Sequence, residues 1–266
     1  MKQRSAQSHR TIQLLDALRR FGGSARNAEL ARAMDVSEET VRRTIKTLSK
    51  SGDVTRVHGG AYLSGTQDQP SFFRRIGEHT REKRAIAAAV ATRVADGSSL
   101  FLDVGSTTAF VAEELRSRRD LLVVTNSIGV AQTLANHHGN RVYLLGGEMH
   151  SDERGAFGTV TENQARRFAL DLTILSADAV NAARGILFIN PGEASLSMVT
   201  ADCAERVLVA LDHFKFNASA PHCGPDPRNI DDIVTDRMPS GALAQALHDW
   251  GVTLRLTDGT TQNATD

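Results

Sequence analysis

The chain has 266 residues, 41% of them hydrophobic, and its 31 Lys+Arg balance 31 Asp+Glu. That length supports one large core or two domains, and no apolar run reaches the roughly 18 residues that a membrane-spanning helix needs. The two cysteines, Cys203 and Cys223, have neither metal nor redox spacing, which argues against a thiol-ligated metal and fits a reducing, cytoplasmic setting.

The polar start MKQRSAQSHR lacks the apolar centre of a secretory signal. Residues 1–60 carry 12 basic and 6 acidic side chains, whereas the remainder carries 19 and 25. Halves of opposite sign point to two modules with different partners, the smaller one basic. In that basic part, Ile12, Leu15, Leu18 and Phe21 recur at helical spacing and predict a helix over His9–Phe21, stopped by Gly22-Gly23. A second helix is predicted over Asn27–Met34, capped by Asn27, with Leu30, Ala31 and Met34 on one face.

A third follows after Asp35-Val36, with Ser37 as its cap, Glu38 and Glu39 in the first turn, and Gly52 as its stop. Its apolar positions are Val41, Ile45 and Leu48, and beside them stand Arg42, Arg43, Lys46 and Lys50. Val54 to Val57 alternates as a strand does, Gly59-Gly60 turns, and Ala61 to Leu63 returns. Three short helices followed by a hairpin make a winged helix-turn-helix over residues 1–63. Its third helix would enter a major groove of double-stranded DNA. Glu39, Thr40 and Arg43 are the candidates for base contact, and the cap residue Ser37 is a further DNA-binding candidate. Arg42, Lys46, Lys50, Arg56 and His58 are the candidates for phosphate.

Residues 64–79 read as a linker, polar with Gly and Pro at first, then docked by Phe72-Phe73. From Thr80 to Ala95, Ile86, Ala89, Val90 and Val94 predict a helix. Apolar strands are predicted at 99–104, 121–125, 141–145, 171–177, 206–211, 232–235 and 252–256. Helices fall at Thr108–Arg116, Ile128–Asn136, Thr161–Phe168 and Gly241–Trp250. Near-continuous apolar strands alternating with helices predict a Rossmann-like, mainly parallel α/β domain over residues 80–257. The last residues, 258–266, read as a disordered tail.

Polar groups recur at the predicted strand ends, where such sheets bind ligands. Asp103, Gly105, Ser106, Thr107 and Thr108 form a small-residue loop that opens a helix, a setting suited to an anion. It is neither a Walker loop nor G-x-G-x-x-G and implies no nucleotide cofactor. Asn126 and Ser127, Asp178, Glu193 and Lys215 complete a candidate pocket: carboxylates and an amide for hydroxyls, hydroxyls and a cation for a phosphate. His137-His138, and His213 with His222-Cys223, do not make a metal set.

The stretch VSEETVRRTIKTLSKSGDVTRVHGGA closely resembles the amino-terminal signature of the DeoR family of bacterial repressors, VS-x-x-T-[IV]-R-R with a wing ending R-x-H-G-G-A. The resemblance continues through Glu82-Lys83, Ile86-Ala87, Asp96-Gly97, Asp103 to Thr108, Thr125 to Ser127, Gly146-Gly147, Gly158, Asp178, Glu193 and Asp212 to Phe216. It covers residues 8–256. The resemblance implies a second domain like that of sugar-phosphate isomerases, which binds a phosphorylated sugar or polyol and so releases the repressor from a carbohydrate operon. The chain departs from the family pattern at Thr44, where Asp is usual, at Phe214, where a hydroxyl is usual, and after Glu193, where a cation is usual. A homodimer or tetramer follows from the weakness of one small winged helix alone. The same residues admit a second chemistry, an isomerase using Asp103 or Glu193 as base and Lys215 as stabiliser.

Overall fold

A computed structural model describes residues 10–18, 24–57, 59–63, 72–150 and 152–262. His9, Arg19 to Gly23, His58, most of the expected linker and the last four residues lie outside the described residues. The chain divides into two compact units, Met1–Glu78 and His79–Asp266.

The first unit opens with helix α1 (residues 10–18), which buries Leu14, Ala17 and Leu18. Ile12 is 55% exposed, so the buried stripe is not the predicted one. Leu14-Ala17-Leu18 is a second helical stripe overlapping the first, and spacing alone does not choose between them. Strand β1 (Ser24–Arg26) follows, and its mixed Ser-Ala-Arg composition gave no periodic signal. Helix α2 (Asn27–Met34) is capped by Arg26 rather than Asn27. Glu29 Oε2 accepts the Arg26 N–H at 2.7 Å, and Asn27 is buried.

Helix α3 (Glu38–Ser51) buries Val41, Thr44, Ile45 and Leu48 and ends at Gly52. The wing is β2 (Val54–Val57) against β3 (Gly60–Leu63). β1 adds to the other side of β3, giving the order β1-β3-β2. A Cβ at Gly60 would lie 2.4 Å from the Ala25 carbonyl oxygen, so the second glycine of the wing lets β1 approach β3. Where the linker was expected to continue, α4 (Phe72–Gly77) forms a short helix that buries Phe72 and Arg75.

The second unit begins with α5 (Thr80–Ala91), β4 (Ser99–Leu102), α6 (Ser106–Leu115), β5 (Leu122–Thr125), α7 (Ile128–Leu134) and β6 (Arg141–Leu144). A hairpin of β7 (Glu148–His150) and β8 (Gly155–Phe157) precedes α8 (Thr159–Ala165) and β9 (Leu170–Leu175). Then come β10 (Ala179–Asn181), β11 (Gly185–Phe188), α9 (Pro191–Ala201), β12 (Ala204–Ala210), β13 (His222–Cys223) and β14 (Asp232–Thr235). The unit ends in α10 (Ala242–Asp249), β15 (Thr253–Leu256) and β16 (Thr261–Gln262).

The main sheet has the order β16-β15-β14-β12-β9-β4-β5-β6, parallel from β15 to β6. β16 pairs antiparallel with β15, which corrects the reading of a disordered tail for residues 258–262. The Asp258-Gly259 turn is a hairpin signal that the low apolar content of this segment masked. Alternate strand residues bury on opposite faces. Leu100, Leu102, Ile174 and Leu208 meet Ile86, Val111 and Val130 of α5 to α7. Phe101, Leu175 and Val209 meet Leu196 and Leu243 of α9 and α10. β10, β11 and β13 form a small antiparallel sheet. Its strands are too short to show periodicity.

From β4 the chain winds outward through β5 and β6, then returns to β9 and winds the other way. The loops leaving β4 and β9 therefore diverge, and a crevice opens at their carboxyl ends.

Candidate functional site

In α3 the buried stripe turns the charged side chains outward. Ser37 Oγ accepts the Thr40 N–H at 3.3 Å and lies 3.0 Å from the Thr40 hydroxyl, so both residues build the helix start. Arg42 reaches Glu38 at 3.4 Å and Glu39 at 3.5 Å, which ties it to the first turn. Arg43, Lys46 and Lys50 are exposed one helical face away and have no ion-pair partner among the described residues. With Thr47 and Ser51 they line a shallow concavity. Thr47 carries no charge and was not a candidate from sequence, although its i+4 spacing from Arg43 could have found it. Arg56 is exposed on β2, opposite Ala61 of β3. Thr44 is buried and donates its hydroxyl to the Thr40 carbonyl at 2.8 Å, so this departure from the family pattern faces the core.

The second site is built around the end of β4. Asp103 is buried, and its Oδ2 accepts the Ser176 N–H at 2.9 Å across the β4–β9 crevice. The Ser176 hydroxyl lies 3.3 Å from the same oxygen. Burial pushes the Asp103 carboxyl up to about 7, aided by the Asp178 charge and opposed by hydrogen bonds from Ser176 and Thr108. A Cβ at Gly105 would meet Ser176 Oγ at 2.0 Å. Glycine is therefore what allows the loop to fold against β9. Gly105 also caps α6 without a side chain, which leaves that cap position to an incoming group. Ser106, Thr107 and Thr108 are buried in the first turn, and the Thr108 hydroxyl donates back to the Gly105 carbonyl at 3.1 Å.

Asn126 is buried at the end of β5 and acts as a clasp: its Oδ1 accepts the Val104 N–H and its Nδ2 donates to the Ala156 carbonyl, each at 3.1 Å. Ser127 caps α7 through the Val130 N–H. Through its bond to Val104, Asn126 shapes the loop that carries Asp103. Asp178, just beyond β9, accepts the Ile189 N–H at 2.8 Å. Glu193 lies in the first turn of α9, whose cap, Asn190, accepts the Gly192 N–H at 2.7 Å.

Lys215 lies in a 3-10 turn, His213–Lys215, just after β12, the strand next to β9. Asp236 holds that turn by accepting the His213 N–H at 2.8 Å and pairing with its ring Nδ1 at 2.6 Å. Phe214 stacks on His79 with ring centroids 3.8 Å apart. Asp103, Gly105 to Thr108 and Asp178 thus meet at the switch between β4 and β9. Lys215 stands one strand further, and Glu193 on a covering helix. Ser176 and Asp236 were not candidates from sequence. Both sit at strand carboxyl ends, and that position is the signal that could have found them.

A basic winged helix-turn-helix joined to a doubly wound unit with a polar crevice at its switch point defines a DNA-binding regulator with a sensor domain. The DeoR-like helix-turn-helix domain matches residues 10–67, and the DeoR C terminal sensor domain matches residues 78–237. The chain belongs to the DeoR family and is a transcriptional repressor rather than an enzyme. The HTH-type transcriptional repressor CsqR of Escherichia coli is 34% identical over 83% of this chain and 85% of its own. The glycerol-3-phosphate regulon repressor of the same organism is 31% identical over 88% and 93%. Ribose 5-phosphate isomerase A of Methanocaldococcus jannaschii superposes with a TM-score of 0.39 at 16% identity, over 52% of this chain and 55% of its own. Among the described residues, no helix is long and apolar enough to cross a membrane.

Proposed function

We propose that this repressor acts in the cytoplasm on a carbohydrate-catabolic operon and leaves its operator when a sugar or polyol phosphate fills the crevice between β4 and β9. The observation that carries this reading is the Gly105 loop. It presents the uncapped start of α6 beside a carboxyl group suited to hydroxyls, at the switch point of the sheet. The hydroxyls of Ser106 and Thr107 and the ammonium of Lys215 supply further phosphate partners. Asp103, Asp178 and Glu193 face the sugar hydroxyls. With no cation following Glu193 in α9, the phosphate depends on the α6 loop and Lys215.

On the DNA side, Arg43 and Thr47 read bases while Lys46, Lys50 and Arg56 hold phosphates. Two copies bind two half-sites as a homodimer, or as part of a tetramer. Selection from a random duplex pool tests this reading. It should enrich paired half-sites spaced by about 10–10.5 base pairs or a multiple. Enrichment of a single unpaired site, or of none, would reject it.

A further inference from the structure

On the α5 face of the sheet, arginines of β12 and β15 engage one buried carboxylate of β14, and a third arginine stands near them. Asp232 opens β14 and is 1% exposed. Its Oδ2 accepts from Arg206 of β12, and its Oδ1 accepts from Arg255 of β15. Arg206 shares strand parity with Leu208 and Ala210, and Asp232 with Val234, all of which bury toward α5. Arg93, just past the end of α5, completes the group, and the charges acting on it are those of Arg255, Asp232 and Arg206. Its Nε is buried without a hydrogen-bond partner, and its Nη1 reaches the Thr92 hydroxyl at 3.3 Å.

Two arginines already engage both oxygens of Asp232 and staple three neighbouring strands. The third adds nothing to that staple. Burial pushes the Arg93 guanidinium down, and so do Arg255 and Arg206, with Asp232 opposing. Three guanidinium groups and one carboxylate leave two positive charges in excess, within a part of the chain that is otherwise acidic. A partly buried arginine repelled by its neighbours is short of counter-charge until an anion completes the cluster. Planar guanidinium forks are suited to bidentate contact with a phosphate or carboxylate. Arg206 is half exposed, so the group is open to solvent.

We propose that Arg93, Arg206 and Arg255 form a second binding site for a small oxyanion, such as the phosphate group of a metabolite, on the α5 face of the sheet at β12, β14 and β15. This site does not depend on the crevice being the effector pocket.

The test is thermal unfolding of the full chain with inorganic phosphate, against sodium chloride at matched ionic strength. A ligand that binds the folded chain raises the midpoint. Phosphate should raise it beyond chloride. Arg93→Gln should weaken the apparent phosphate affinity at least tenfold, and Arg93→Lys should fall between. Without phosphate, Arg93→Gln should melt no lower than the parent, because it removes a repelled charge, whereas a purely structural Arg93 would melt lower when lost. Thr107→Ala and Lys215→Ala should keep a phosphate response. Four results would overturn the site: no response in the parent, an unchanged response in Arg93→Gln, a response lost in Lys215→Ala, or an Arg93→Gln salt dependence of duplex binding reduced by about one phosphate contact.

Discussion

Gly105 and Asp103 set the shape of the crevice at the carboxyl ends of β4 and β9. The missing Cβ at Gly105 lets the loop lie against Ser176, and Ser176 in turn donates to Asp103. Gly105→Ala should therefore displace the loop at an overpacking cost of about 1–3 kcal/mol. The variant should melt lower and bind effector more weakly while retaining operator binding, as paired melting and duplex titrations would show. Asp103 also makes the unit sensitive to pH. Its carboxyl is raised from 3.8 to about 7, so between those values the folded chain holds a proton that the unfolded chain has released. Its contribution to stability falls as pH rises through that window and levels off above it. A phosphate ligand beside this carboxyl favours the protonated form, so effector affinity should fall between pH 6 and 8. Asp103→Asn should flatten both trends relative to the parent, which also subtracts the titration of the phosphate itself. Equal slopes in parent and variant would contradict the assignment.

Helix α3 separates its charged residues by face. Arg42 is held by two glutamates of the first turn, whereas Arg43, Lys46 and Lys50 have no such partner among the described residues. Arg43→Ala should lose about 1–3 kcal/mol of discrimination between operator and random duplex. Lys50→Ala should weaken both alike and lower the salt slope by about one. Arg42→Ala should cost at most about 1 kcal/mol, the scale of an exposed pair. Anisotropy titrations over a salt series separate the three. Identical behaviour of Arg43→Ala and the parent would reject the reading face. α3 was legible in the sequence because cap, apolar stripe and stop agree. The central parallel strands were legible because burial on both faces makes them continuous apolar runs, whereas the edge strand β6 is mostly exposed and was legible only from its Val-Tyr-Leu composition. β1, β10 and β16 were not, because each is two or three residues long and exists only through its pairing partner. The strand-end rule placed Asp103 and Lys215 after strands, where the structure has them, but could not show that Asn126 is bound to the backbone on both sides. That assignment depends on where Val104 and Ala156 lie in space.

The whole molecule has two units whose properties must be coupled for a repressor to respond. A winged helix of this size gains operator affinity by binding paired half-sites, and the sensor unit is the larger candidate for joining the copies. Sedimentation of residues 79–266 should give a dimer or larger at micromolar concentration, and a clean monomer would contradict this. Coupling requires that the effector bind the free repressor more tightly than the operator-bound form. The most direct measurement is titration of sugars and polyols, each with and without its phosphate, against the repressor–operator complex, in the parent and in Thr107→Ala and Lys215→Ala. The account predicts release by a phosphorylated compound, lost in both variants while their operator binding persists. Release by the unphosphorylated compound, undiminished in either variant, would contradict it.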